Sequence, residues 1–169
     1  MLKFATISPT DVHGKKLYAW EHFKKGNYIA FGAIYAKDLS RKTDKEIIQI
    51  VESIPRYKTG EAKRRIREYL GFMSLNIGDY VAVNNTNDGL FGIGTVTSGY
   101  YFKKHAHDTG STDPKYFYCH FYNVKWLVTQ YMKRKDILRQ DKKGWAPYGI
   151  IRVVLKVPDY IMRIVEKNK

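Results

Sequence analysis

The chain has 169 residues, a length that suits one domain with a real core, and its 30 Lys and Arg against 16 Asp and Glu give a formal net charge of +14. That excess favours an anionic partner, nucleic acid first, and says nothing about fold. The single Cys119 excludes an intramolecular disulfide framework and a cysteine-rich zinc site, and no apolar stretch approaches the roughly 18 to 20 residues that span a bilayer, so a cytoplasmic protein with no membrane role is expected.

Leu2 to Ile7 alternates loosely and stops at Ser8-Pro9, which reads as a first strand. Thr10 to Gly26 is irregular and carries Asp11, His13, Tyr18, Trp20, His22 and Phe23 among lysines; a loop this long is functional or partly helical. Tyr28 to Gly32 reads as a second strand. Thr43-Asp-Lys-Glu46 has the capping-box spacing ahead of Ile47, Ile48, Val51 and Ile54, an amphipathic helix stopped by Pro55. Ala62, Ile66, Tyr69, Leu70 and Met73 recur at helical spacing, which puts Lys63, Arg64 and Arg67 on the other side.

Asn87-Asp88-Gly89 between two apolar runs predicts a hairpin of Tyr80 to Asn84 with Leu90 to Thr97. Tyr80-Val-Ala-Val83 is apolar without alternation, so both faces of that strand are covered, as in a small closed barrel. Gly92 and Gly94 in the return strand mark a bulge, a corner or a close approach. Tyr100 to Pro114 reads as a polar loop. Tyr116 to Val128 alternates as a long strand, with Tyr116, Tyr118, His120, Tyr122, Val124, Trp126 and Val128 on one face. Met132 to Lys143 is a basic linker or short helix, Trp145-Ala-Pro147 leads to a last strand over Ile150 to Val157, and Pro158-Asp159 opens a terminal helix. One domain over 1–169 is expected, and its highly charged end suggests the N-terminal part of a longer protein. Abundant Lys and Ile beside Gln49, Gln130 and Gln140 alone hint at a thermophile.

Enzymatic signatures are mostly missing: there is no phosphate loop, no His-Glu-x-x-His and no Gly-x-Ser-x-Gly. A binding module with no catalytic residues, metal or cofactor is expected. His105-x-His107 with Asp108 lacks an evident third ligand, and a solvated loop is the plainer reading. Cys119 and His120 are adjacent on a strand and point opposite ways, which argues against a dyad. Glu61-x-Lys63 resembles the tail of a metal-dependent nuclease signature, but no carboxylate-bearing strand stands just before it. The signal above background is aromatic residues, 15% of the chain with 14 tyrosines, interleaved with basic ones. Aromatic faces stack bases and cations hold phosphates, which together describe a nucleic-acid binder.

Met73-x-Leu-x-Ile-Gly-Asp-Tyr-Val-x-Val, Gly92-Ile-Gly-Thr-Val96, Tyr100 and Asn123-Val-Lys-Trp126 carry a resemblance. The pattern, spread over Phe4 to Val128, resembles the EVE and YTH branch of the PUA-like superfamily. That resemblance implies an α+β fold, a small mixed β-barrel of about six strands flanked by helices, and capture of a flipped, often methylated, base in an aromatic cage. It implies a base pocket drawing on Phe31 in the second strand, Tyr116 or Tyr118 before the "Val-x-Trp" strand end, Asp11 for the base edge and Trp20 as a closing ring. Lys24, Lys25, Lys103 and Lys104, with Arg64 and Arg67, are the expected phosphate contacts. The sequence lacks tryptophan at the second-strand and pre-"Val-x-Trp" positions of the YTH pattern, which bears on methyl selectivity and not on stacking. Within the branch, the chain resembles the N-terminal recognition domain of an archaeal McrB-type modification-dependent restriction GTPase, implying a GTPase motor and a nuclease as partners and DNA as the favoured ligand. The alternatives are an RNA-binding PUA-like or YTH-like module, a small metal-dependent nuclease using Glu61, and a protein-interaction module.

Overall fold

The computed structural model describes residues 1–9, 16–32, 37–55, 57, 59–85, 88–107, 118–138 and 151–168. In chain order the elements are β1 (Phe4–Ile7), α1 (Lys16–Gly26), β2 (Tyr28–Gly32), α2 (Asp44–Glu52), α3 (Thr59–Met73), β3 (Tyr80–Asn84), β4 (Gly89–Val96) and β5 (Tyr101–His107). They continue with β6 (Tyr118–Val128), β7 (Met132–Lys133), α4 (Arg134–Leu138), β8 (Ile151–Val154) and α5 (Asp159–Lys167). Six strands run β2-β6-β4-β3-β1-β8 as a curled half-barrel, with β5 added on β6 and β7 on β4. Among the described residues only β1 and β3 pair in parallel, Ala5 opposite Val81.

The expected mixed, helix-flanked sheet of about six strands is therefore what forms, but among the described residues β2 and β8 end the hydrogen-bonded path and do not close it. The lack of alternation in β3 has a different cause from closure. Val81 and Val83 enter a core with Ala5, Ile7, Phe31, Tyr69 and Phe72, whereas Ala82 enters a second core with Phe4, Ile93 and α5. Helix α5 buries Tyr160, Ile161, Ile164 and Val165 there, and each such side chain contributes on the order of 1.5–3 kcal/mol. Both faces of β3 are covered because helices pack on both.

Local signals explain most elements. The Thr43 hydroxyl accepts from the Glu46 amide at 3.3 Å while the Glu46 carboxylate accepts from the Thr43 amide at 2.8 Å, a complete capping box at the start of α2. The β3–β4 turn closes with the Asn85 amide donating to the Gly89 carbonyl at 2.9 Å; Thr86 and Asn87 lie outside the described residues. The Gly78-Asp79 pair is structural. Gly78 adopts φ +93, where an L side chain is strained, and the buried Asp79 carboxylate accepts the Lys3 and Asn76 amides at 2.8 Å each, tying β1 to the turn before β3.

The irregular stretch before β2 is partly helical, as expected: it contains α1, ended by Asn27 at φ 52, a position that asparagine tolerates. Other expectations are corrected. Of the expected polar loop from Tyr100 to Pro114, Tyr101–His107 is in fact β5, paired with β6, and 108–114 lie outside the described residues; edge strands carry charged residues that blunt further pairing, so their composition looks like a loop. Nor does β6 keep one face throughout. Phe31 pairs with His120 and Gly32 with Tyr118, leaving Cys119 as an inserted residue, and Leu127 is inserted likewise between the pairs to Gly94 and Ile93. Each bulge shifts the alternation by one residue, so Tyr118 and Val128 leave the face shared by His120, Tyr122, Val124 and Trp126. The alternation argument that separated Cys119 from His120 fails for the same reason. The basic stretch read as a linker or short helix does hold a short helix, α4, with β7 before it, and the last strand is the shorter Ile151–Val154. No helix among the described residues is long and apolar enough to cross a membrane.

Candidate nucleic-acid interface

Three strands place tyrosines on one face. Tyr28 opens β2 opposite Asn123, Ala30 pairs with Phe121, and Phe121 pairs with Tyr101 of β5, so all these side chains share a side of the sheet. The Tyr101 ring stacks on Phe121 at 5.4 Å and 12°, and Tyr28 meets Phe121 edge-on at 5.4 Å. From α1, buried Phe23 touches Tyr28 and Tyr118, each at 5.5 Å. Tyr28, Tyr101 and Tyr118 remain half-buried, so their rings are neither free surface nor sealed core.

Their hydroxyls are close enough to affect one another. Burial, reinforced by the neighbouring Tyr118 and Tyr101 phenols, holds the Tyr28 hydroxyl well above the usual tyrosine range, and burial alone raises Tyr101. Both stay protonated at neutral pH and can donate. The Tyr101 hydroxyl donates to Asn123 Oδ1 at 2.8 Å, which fixes the ring over Phe121. The exposed Lys103 ammonium lies 5.6 Å from the Tyr101 ring, and exposed Lys25 stands in the last turn of α1, three residues before Tyr28 in sequence.

The expected pocket residues are placed as follows. Trp20 is 3% exposed, stacked with Phe91 at 6.1 Å and edge-on to Trp126 at 4.9 Å, and its indole fills the space a side chain at Gly92 would need. Phe31 is also 3% exposed, against Tyr69 at 4.6 Å and Phe72 at 5.7 Å on the α3 side of the sheet. Tyr118 is the one that joins the tyrosine face. The three rings are thus packed on different aromatic neighbours. Asp11 and Tyr116 lie outside the described residues, as does the Lys104 side chain.

Among the expected phosphate contacts, Lys24 is paired with Glu21 at 2.9 Å and Arg64 with Glu61 at 3.5 Å, while Lys25, Lys103 and Arg67 are exposed. Such exposed pairs are weak and leave the cations available. Glu61, the nuclease candidate, pairs with Arg65 as well, at 3.6 Å. Among the described residues no three His, Cys, Asp or Glu side chains gather as a metal site.

Sequence reading missed Tyr28 and Tyr101, whose placement depends on register across β2, β6 and β5. It also missed a buried staple. The Tyr100 hydroxyl accepts the Leu39 amide at 3.3 Å and bonds His120 Nδ1 at 2.8 Å, tethering the segment after β2 to the sheet. His120 is fully buried there, and burial pushes the Tyr100 hydroxyl well above its usual range.

A family model described as a domain of unknown function (DUF8426) matches residues 7–145, well over half of the chain. The chain belongs to that family. The span of the DUF8426 match holds the tyrosine face and the Tyr100 staple, and stops before β8 and α5. No curated protein matches the sequence. Among solved structures, this DUF8426 member is similar to the YTH domain of Zygosaccharomyces rouxii MRB1 protein, in complex with N6-methyladenosine RNA, at 13% identity over 99% of this chain and 85% of that one, TM-score 0.43. It is similar to a hypothetical protein from Leishmania major at 12% identity, covering 99% and 96% of the two chains, TM-score 0.47. Human THYN1, in complex with 5-methylcytosine containing DNA, is similar at 8% identity over 99% and 98%, TM-score 0.40.

Proposed function

We propose that the chain is a nucleic-acid-binding module, not an enzyme, that takes an extruded base against the tyrosine face of β2, β6 and β5. The observation that carries this reading is the half-buried cluster of Tyr28, Tyr101 and Tyr118, backed by Phe121 and Phe23 and flanked by Lys103. Stacking on such rings is worth about 1–3 kcal/mol per base, and extruding a base costs a few kcal/mol, so the two nearly cancel. Phosphate contacts must then supply the net affinity, and a formal charge of +14 suits that role. Tyr118 faces the ligand in this reading; Trp20 and Phe31, both buried, act as the wall that fixes α1 and β2.

In its finer form the base is a methylated one in DNA, and the chain is the specificity domain of a modification-dependent restriction system acting with a GTPase motor and a nuclease. The test is fluorescence anisotropy with methylated duplex, plain duplex and RNA, on wild type, Tyr101→Ala and Tyr118→Ala. Each variant is expected to weaken binding about tenfold, the order of one lost stacking contact, and more for methylated than for plain duplex. Equal losses on both duplexes sink methyl reading; unchanged affinity in both variants sinks the interface; tighter RNA binding moves the ligand to RNA.

A further inference from the structure

A groove of about 510 Å³ lies away from the tyrosine face, between β7, α4 and the end of α5. Its floor is apolar, from Val128, Ile137 and Ile164 of the second core. Its walls carry three exposed cations, Lys133, Lys135 and Lys167, against one anion, Asp136. Among the described residues none of those lysines comes within ion-pairing distance of a carboxylate. Lys167 stands in the last turn of α5, where it offsets the negative end of that helix. On the rim Tyr131 is 40% exposed, yet its ring is held against Phe91 at 5.6 Å. The backbone beneath is fixed too. Lys133 pairs with Gly89 in the sheet, the Arg134 amide donates to Asp88 at 2.8 Å, and β7 passes so close to Gly89 that a side chain there would collide with Met132.

A cationic wall, an apolar floor and an immobilised aromatic rim match the three parts of a nucleotide: phosphate, sugar and base. We infer that this groove is a second binding site, for the sugar–phosphate backbone of a nucleic-acid strand, with Tyr131 as its stacking platform. It shares the ligand class of the proposed function and none of its residues. Packed rings connect the two sites: Tyr131 lies on Phe91, Phe91 on Trp20, and Phe23, one turn along α1 from Trp20, on Tyr118. A strand that reaches both sites binds with the gain of a bivalent ligand, so affinity depends on strand length.

The experiment compares 5-nucleotide and 20-nucleotide single strands, as DNA and as RNA, on wild type, the triple variant Lys133→Glu/Lys135→Glu/Lys167→Glu, and Tyr101→Ala. A Lys→Gln triple and thermal unfolding midpoints control for folding. The groove variant is expected to lose at least tenfold in affinity for the 20-mer and to flatten its log–log salt dependence by about 2, as for two or three lost phosphate contacts. Its 5-mer affinity stays within twofold of wild type. An unchanged 20-mer affinity and salt slope overturns the groove assignment, and so does charge-dependent binding to phosphatidylserine vesicles with oligonucleotide binding unaltered. If Tyr101→Ala binds like wild type while the groove variant loses the 20-mer, the tyrosine face falls and the groove stands. Absence of wild-type binding to every oligonucleotide overturns both.

Discussion

Gly92 lacks a side chain because the Trp20 indole occupies its place. A Cβ at 92 meets that indole and, at 2.9 Å, the Val128 carbonyl. The indole cannot swing clear without losing Phe91 and Trp126. Gly92→Ala is therefore predicted to destabilise the protein by about 1–3 kcal/mol, the usual cost of overpacking, and to change tryptophan emission. Urea unfolding measures it, and a loss below about 0.5 kcal/mol would mean that the seat is looser than the geometry indicates. At this scale the sequence told half of the story. Glycine in a strand announced a close approach, and only the fold could say that the approaching group was Trp20 rather than a ligand.

At the scale of elements, the capping box of α2 yields a pH prediction. Hydrogen bonds from Lys42 and from the Thr43 backbone and hydroxyl pull the Glu46 carboxyl down from 4.5 to about 2. A depressed folded value means that this stabilisation is fully present above about 4.5 and is lost as pH falls toward 2. The protection factors of the α2 amides, corrected for the intrinsic exchange rate at each pH, should fall over that window. Thr43→Ala, which removes the cap, should bring the Glu46 titration part of the way back toward 4.5 and loosen the helix by about 1 kcal/mol. A Glu46 titration unmoved by Thr43→Ala, followed by NMR, contradicts the mechanism. This element was legible because its signal is local: four residues, Thr43 to Glu46, contain the whole cap. The β3–β4 hairpin was legible for the same reason, through Asp88-Gly89. β5 was not, because an edge strand of lysines and histidines has a loop's composition. The bulges at Cys119 and Leu127 were not either, since alternation in one strand is silent about the partner's count. The tyrosine face follows from the Cys119 bulge and from three-strand register, and so it stayed hidden while its individual residues were in plain view.

For the molecule as a whole, two cores share one sheet, and the family match over 7–145 covers only part of what builds them. A fragment with those limits loses Phe4 together with β8 and α5, which uncovers Ala82, Leu90 and Ile93. It is predicted to be unfolded or aggregated, as read by near-ultraviolet circular dichroism and gel filtration; a monomeric fragment with native dichroism would falsify the view that the second core is integral.

The place of β1 has a consequence for how the chain is made. β1 lies between β3 and β8, with Ala5 opposite Val81 on one side and Val153 on the other. β1 therefore completes its pairing only after β8 has been made, long after β3. Long-range pairing of this kind is slow because loop closure precedes any contact that rewards it. Without β8, Phe4, Ala5 and Ile7, all buried in the folded sheet, lack their neighbours on that side.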